Sequence, residues 1–193
     1  VIGNEIAPGI VVYSQVYGDY KNLPSMIEEA VEYEAISWSE ASVSGGTNKS
    51  ARDTDTIVIP SKLPDVLSET PRDVFYQNMI NIINTIVKPS IEDYMANYSI
   101  FYSDFEPFNI LKYGEGQKFI NHIDDHPNYP RRISFVYYMN DDYHGGEINF
   151  SRFDITYKPK ANDLLVFPSA YTYNHSVIPV RSGTRYAIVG WIK

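Results

Sequence analysis

The sequence predicts an α+β fold dominated by strands: helices first, then a β-sandwich or barrel of the jelly-roll kind with the helices buttressing one sheet. Three observations carry this. Tyrosine is abundant, 17 of 193 residues, and aromatic residues make up 15% of the chain; with Val, Ile and Phe they suit half-buried pleated surfaces. Apolar residues at helical spacing occur before about residue 100. Beyond it, strand-length apolar segments alternate with Gly, Pro, Asn and Asp. A chain of 193 residues accommodates one real core and a second only tightly, so a single domain over 1–193 is expected. Its helical support region covers about 1–100 and its jelly-roll core about 101–193.

Taken in order, IVVYSQV (10–16) reads as a strand and LPSMIEEAVEYEA (23–35) as a short helix with Pro24 in its first turn. VSGGTNKSARDTDT (43–56) is small and polar, and reads as a flexible loop of the type that forms lids or binding loops. Over 71–87, Phe75, Met79, Ile82, Ile83 and Ile86 share one helical face that needs a sheet to cover. Pro89 then breaks or restarts the helix, and SIEDYMANY continues it. Eight strand segments follow: 105–113, 117–124, 131–140, 146–150, 153–158, 163–167, 173–180 and 184–192.

A formal charge of −8 and a pI near 4.9 repel phosphate backbones, and no Lys/Arg stripe overrides that balance, which argues against direct nucleic-acid binding. The chain has no cysteine, so disulfides, thiolate catalysis and Cys-type metal sites are excluded and any metal must be held by His, Asp or Glu. No apolar run of 18 residues is present to cross a membrane. Residues 1–12 lack a charged start followed by an apolar segment, so a cytoplasmic location is expected, although the chain begins at Val1 without Met and a trimmed leader stays open. Oligomeric state is not legible.

The run FINHIDDHPNY (119–129) sets two of the four histidines and two adjacent aspartates between apolar segments. On a strand, His122 and Asp124 leave the same face while Ile123 leaves the other. His175 lies on a later strand, and Arg185 starts another across the Ser182-Gly183 turn. An antiparallel hairpin would bring Arg185 near His175, pointing inward with Ala187, Val189 and Trp191. Two imidazoles and one carboxylate leave three octahedral positions open, the facial triad of non-heme Fe(II) oxygenases. A buried Arg supplies the planar, bidentate donor that a dicarboxylate requires. Ser134, Val136 and Tyr138 share one face of the strand at 131–140, and Ile133, Phe135, Tyr137 and Met139 the other; if the apolar set packs on the helices, Tyr138 faces the cavity. Tyr113 is a further hydroxyl donor. Each histidine needs an acceptor at its distal ring nitrogen, for which Asp125 and a backbone carbonyl are the candidates. His126 and His144 lie in turn-like surroundings and are expected in solvent.

With those residues placed, the carboxy-terminal half resembles the Fe(II)/2-oxoglutarate dioxygenases, specifically the prolyl 4-hydroxylase branch. LKYGEGQKFINHID, RRISFVYYMND, GGEINF, KPKANDLLVFP and HSVIPVRSGTRYAIVGW occur in family order over about 105–192. The resemblance implies a double-stranded β-helix with His122, Asp124 and His175 as iron ligands and with Arg185, Tyr138 and Tyr113 holding 2-oxoglutarate. Arg131 and Trp191 would lie near the substrate, and the 43–56 loop would act as a lid. Fe(II), 2-oxoglutarate and O2 are the implied cofactor and cosubstrates, with ascorbate as an optional addition. The implied reaction hydroxylates prolyl residues of a peptide or protein, releasing succinate and CO2. Collagen-type enzymes carry Lys where Arg185 stands, and the chain lacks room for their separate peptide-binding domain, which disfavours a collagen-like substrate. The alternatives are a hydroxylase of a free amino acid or other small molecule, and a non-catalytic cupin-like metal- or sugar-binding module, which would not need Arg185.

Overall fold

The computed structural model describes residues 2–14, 22–43, 46–63, 69–101 and 104–193, and these form a mainly β fold with three α-helices. Strands β1 (Asn4–Ala7) and β2 (Ile10–Tyr13) precede helix α1 (Leu23–Glu32), and β3 (Ser39–Glu40), β4 (Arg52–Asp53) and β5 (Asp55–Ile59) follow it. Next come α2 (Pro71–Ile82) and α3 (Lys88–Asn97). The remaining strands are β6 (Phe108–Tyr113), β7 (Lys118–His122), β8 (Ile133–Tyr138), β9 (His144–Gly145), β10 (Ile148–Phe150), β11 (Ile155–Tyr157), β12 (Leu164–Pro168), β13 (His175–Val177), β14 (Val180–Ser182) and β15 (Arg185–Ile192). Each of the eight segments expected beyond residue 100 contains a strand. Residues 15 and 16 of the first expected strand lie outside the described residues.

The helices begin where their sequence says they should. Thr70 caps α2, its hydroxyl accepting from the Asp73 N–H at 3.2 Å, and Pro71 occupies the first turn, where a missing N–H costs nothing. Pro89 does not end the helical run as a simple break. A π-turn over Ile83–Val87 widens the coil, and α3 restarts at Lys88 with Pro89 in its first turn. Ile83, Ile86 and Val87 thereby stay buried on the same side as Phe75 and Met79.

Two antiparallel sheets carry the site. The larger runs β1-β2-β12-β8-β15-β6-β5-β3 and the smaller β11-β10-β13-β7-β4; β14 and β9 form a separate ribbon. Period-two alternation divides the core in two. Ile133, Phe135, Tyr137 and Met139 of β8 and its end, with Tyr186, Ile188 and Ile192 of β15, pack in one cluster with the buried faces of all three helices. Val136 and Tyr138, with Ala187 and Val189, pack in the other against Ile148, Phe150 and Val177 of the smaller sheet. Gly190 makes the first cluster possible: a Cβ there would meet Phe135 Cε1 at 2.7 Å and Phe108 Cδ1 at 2.9 Å.

Two expectations need correction. The segment 43–56 is not simply a flexible loop, because Arg52–Asp53 pairs with β7 and Asp55–Ile59 pairs with β6. Long-range pairing overrides its polar composition, with buried Thr54 donating to the Lys112 carbonyl at 2.8 Å; residues 44 and 45 lie outside the described residues. Nor do His175 and Arg185 lie on one hairpin. β13 belongs to the smaller sheet and β15 to the larger, with β14 between them paired to β9, so the two residues come from opposite sheets. Among the described residues no helix is long and apolar enough to cross a membrane.

Candidate active site

His122 ends β7 and His175 opens β13, and the antiparallel register sets them directly opposite each other. Their rings lie 4.3 Å apart, centroid to centroid. Asp124, two residues past His122, brings Oδ1 to 3.6 Å from His122 Nε2 and Oδ2 to 3.7 Å from His175 Nε2. The three ligand-type atoms lie within 4.8 Å of one another, the spacing at which one cation could contact all of them. Their side chains are 18%, 9% and 7% exposed in the order His122, Asp124, His175, so the group opens on one side only.

The hydrogen bonds around the trio fix its chemistry. His122 Nδ1 lies 2.8 Å from the Ile120 carbonyl and His175 Nδ1 lies 3.0 Å from the Tyr173 carbonyl. A carbonyl only accepts, so each Nδ1 carries the proton and each Nε2 presents a lone pair inward. Of the two acceptors considered for the distal nitrogens, the backbone carbonyl is the one used; the Asp125 carboxylate instead accepts from the Arg131 N–H at 3.0 Å. Burial, and then the neighbouring His175, push the His122 imidazole down to about 3, which keeps it in the neutral, ligating form. Burial works to raise the Asp124 carboxyl, yet His175, His122, the Ser134 hydroxyl and Trp191 outweigh it and hold the group below its usual range. Ser134 donates to Asp124 Oδ2 at 2.7 Å and shares a second hydrogen bond of 2.8 Å with Ser169.

Arg185 lies across the chamber from the imidazoles. It is 1% exposed and pairs in register with Tyr113. Its guanidinium carbon sits 4.8 Å from the Tyr113 ring centroid and 5.1 Å from that of Tyr138. Burial opposes its charge, but the Tyr138, Tyr143 and Tyr113 side chains favour it and raise its pKa on balance. No carboxylate ion-pairs with it among the described residues, and Arg185 Nε and Nη1 and the Tyr138 and Tyr143 hydroxyls are buried without hydrogen-bond partners. A buried cation whose neighbours here are neutral tyrosyl hydroxyls and no carboxylate is unfavourable unless an anion completes it, so this end of the chamber fits a carboxylate. Gly146 makes the fit possible. Its φ is +66°, and a Cβ would come within 3.0 Å of both Arg185 Cδ and Tyr143 Cε2.

The remaining predicted residues border the entrance. Trp191 lines both the chamber and an outer cleft of about 480 Å³. Arg131 lines the cleft, stacked 3.8 Å over the Trp191 ring and bound through Nε and Nη2 to Glu106 at 2.7–3.1 Å. His126 is half-buried rather than in solvent, because it stacks on Tyr129 at 4.1 Å along the cleft rim; His144 is exposed as expected. Sequence reasoning missed Ser169, Tyr143 and Arg52, and did not assign a role to Ser134. For Ser134 a signal existed, a small hydroxyl on the inward face of β8 that it shares with Val136 and Tyr138; Arg52 reaches the site only through long-range pairing.

Residues 108–193 match the model of the 2OG-Fe(II) oxygenase superfamily. A PKHD-type hydroxylase of Prochlorococcus marinus is 36% identical over 84 residues, 40% of this chain and 37% of that protein. A PKHD-type hydroxylase of Gloeothece citriformis is 31% identical over 124 residues, 58% of this chain and 56% of that protein. The chain thus spans roughly a third to a little over half the length of these curated relatives. Among solved structures, a Trichoplax adhaerens prolyl hydroxylase in complex with a hypoxia inducible factor peptide fragment superposes with a TM-score of 0.69 at 16% identity, covering 95% of this chain and 83% of that one. A Pseudomonas putida prolyl-4-hydroxylase gives 0.67 at 19% identity, covering 96% and 92%. At such identities the structures establish a shared fold. Residues 108–193 thus resemble the 2OG-Fe(II) oxygenase superfamily in sequence, and the chain shares its fold with prolyl hydroxylases.

Proposed function

We propose that this chain is an Fe(II)- and 2-oxoglutarate-dependent dioxygenase that hydroxylates prolyl residues of a peptide or protein. The observation that carries the reading is Arg185, a buried cation without a counter-ion, in the same chamber as a convergent His-Asp-His trio. In this reading the two facing sheets make a jelly roll, with the helices stiffening the larger one. His122, Asp124 and His175 hold the ferrous ion, while Arg185 receives the far carboxylate of 2-oxoglutarate beside Tyr138, Tyr113 and Tyr143. When bound, the iron and keto acid supply the oxidising chemistry: 2-oxoglutarate, O2 and a C–H bond become succinate, CO2 and a hydroxyl group.

The protein's own part is positional. The Ile120 and Tyr173 carbonyls keep both Nε2 lone pairs aimed at one point, and Ser134 fixes the rotation of the Asp124 carboxylate. Leu111, Val136, Ile148, Val177 and Val189 line the chamber and exclude water from it. Trp191 stands where chamber and cleft meet, so a substrate in the cleft presents its reacting carbon past the indole.

Anaerobic addition of Fe(II) and then 2-oxoglutarate should produce a visible charge-transfer band. Proline-containing peptides should then give succinate in proportion to peptide, with a +16 mass shift on proline. A band without peptide-dependent succinate, alongside succinate driven by small molecules, would reassign the substrate. Absence of the band would favour a binding module.

A further inference from the structure

One cation in the site has no part in holding iron or keto acid. Arg52, on β4, lies in the wall shared by the inner chamber and the outer cleft. Its position is fixed by the sheet: Arg52 pairs with Phe119 of β7, and the Ala51 carbonyl accepts from the Ile120 N–H at 2.8 Å. The guanidinium lies 4.9 Å from the Phe119 ring centroid, and that ring in turn stacks on His122 at 3.5 Å. Nη1 is occupied, donating to the Ser42 carbonyl at 2.9 Å. Nε is buried with no hydrogen-bond partner, and no carboxylate among the described residues pairs with the group.

We propose that Arg52 captures a carboxylate of the substrate, so that the cleft selects a prolyl group with an acidic function close to the carbon to be hydroxylated. The inference rests on the dioxygenase reading and names its substrate class. Three arguments support it. The chamber balances its charge without Arg52, since a divalent metal and Arg185 together offset Asp124 and a dicarboxylate. The unused Nε edge offers the planar donor geometry that a carboxylate matches. The other guanidinium of the cleft, Arg131, is already neutralised by bidentate pairing with Glu106. Among the described residues one guanidinium without an acidic partner therefore lines the cleft, which suits a carboxylate monoanion better than a phosphate dianion. Ile120 and Ile123, 47% and 45% exposed, and Trp191 supply apolar surface in the same cleft for the prolyl ring. The acidic function has two sources of the same chemistry, the α-carboxylate of a terminal or free proline and an Asp or Glu side chain beside an internal one.

The test compares acid and neutral twins on protein loaded with Mn(II) and 2-oxoglutarate. Calorimetry would measure acetyl-proline against acetyl-prolinamide, and acetyl-Asp-Pro-amide and acetyl-Pro-Asp-amide against their Asn counterparts, on wild type, Arg52→Gln and Arg52→Lys. In at least one pair the acid should bind wild type about tenfold or more tighter than its twin. The preference should vanish in Arg52→Gln and persist in part in Arg52→Lys, with affinity for 2-oxoglutarate unchanged in both. Preference in the first pair identifies the α-carboxylate as the source; preference in the others identifies the side chain. Equal binding of every acid and its twin, binding of neither, a preference that survives Arg52→Gln, or a parallel loss of 2-oxoglutarate affinity would each overturn the proposal. The charge-transfer band and succinate release, measured separately with Fe(II), report on the dioxygenase reading independently of these ratios.

Discussion

Replacing Arg185 by Met should move two measurable quantities in opposite directions. In the ligand-free protein the guanidinium is 1% exposed, with Nε and Nη1 unpaired. Exchanging a buried ion lacking a partner for an apolar side chain of similar volume should stabilise the fold, by about 1–4 kcal/mol on the scale known for buried ion sites. At roughly 2–4 °C per kcal/mol for a chain of this size, the melting temperature rises by several degrees. In the complex the sign reverses. Two charge-assisted hydrogen bonds from Nε and Nη1, at roughly 1.5–3 kcal/mol each, are lost together. That amounts to an expected weakening of 2-oxoglutarate binding by about 10²- to 10⁴-fold, while metal affinity, which would rest on other side chains, should be kept. The assay is thermal unfolding with and without Mn(II) and 2-oxoglutarate, supported by calorimetric titration of each. A variant that melts below wild type without ligand, or one that loses less than about tenfold in 2-oxoglutarate affinity, would show that Arg185 is satisfied by the protein itself and is not an anion receptor.

Ser134→Ala removes the hydroxyl that holds Asp124 Oδ2; metal affinity, followed by Fe(II) or Mn(II) titration, should fall by roughly 10- to 100-fold with the fold intact. Glu28 ties α1 to the larger sheet, accepting from Lys112 Nζ at 2.7 Å and from the Tyr186 hydroxyl at 2.6 Å. Burial works to raise its carboxyl, but Lys112, Tyr186 and Trp38 outweigh it and hold the pKa below the ordinary 4.5. Since the folded value lies below the unfolded one, this stabilisation is complete above about pH 4.5 and is lost as pH falls through the folded value. The melting temperatures of wild type and Glu28→Gln should therefore differ near neutrality and converge in acid. Metal loading should slow amide exchange in β7 and β13 far more than in β8 and β15, because both imidazoles sit on the smaller sheet; uniform protection would contradict that placement.

How far the sequence could be read follows from the range of the forces involved. Alternation along β8 is local, and it alone assigns Tyr138 to the cavity and Phe135 to the helices. The same holds for His122 and Asp124, two residues apart on one face. Pairings between distant segments were a different matter. Arg52–Asp53 reads as loop because nothing in its neighbourhood is apolar, and it becomes a strand only by meeting β7. The separation of His175 and Arg185 into opposite sheets was hidden for a related reason. A Ser-Gly turn suggests a hairpin, whereas the segment before it pairs with His144–Gly145 and carries the chain from one sheet to the other. Pro89 pointed correctly to an interruption, but the remedy, a π-turn, depends on keeping Ile83, Ile86 and Val87 buried beneath the sheet.

The distribution of unsatisfied atoms ties these observations together. In a chain of net charge −8, buried cations would be expected to find acidic partners readily, and Glu28 and Glu106 do pair with Lys112 and Arg131. Among the described residues, buried Arg185 and half-buried Arg52 lack an acidic partner, and both line the space between the two sheets. A fold can tolerate uncompensated charge there only if other contacts hold its walls in place. The larger sheet has such contacts, since its far face is covered by three helices through a continuous apolar cluster. The smaller sheet has no comparable cover among the contacts described, and it is this sheet that bears His122, His175 and Arg52. A ligand that binds the imidazoles therefore braces the weaker wall, while one that binds Arg185 relieves a strain held by the stronger. A metal held by the imidazoles would thus organise the smaller sheet and a dicarboxylate at Arg185 would complete the chamber, which would leave Arg52 beside the cleft as the cation available to an incoming acid.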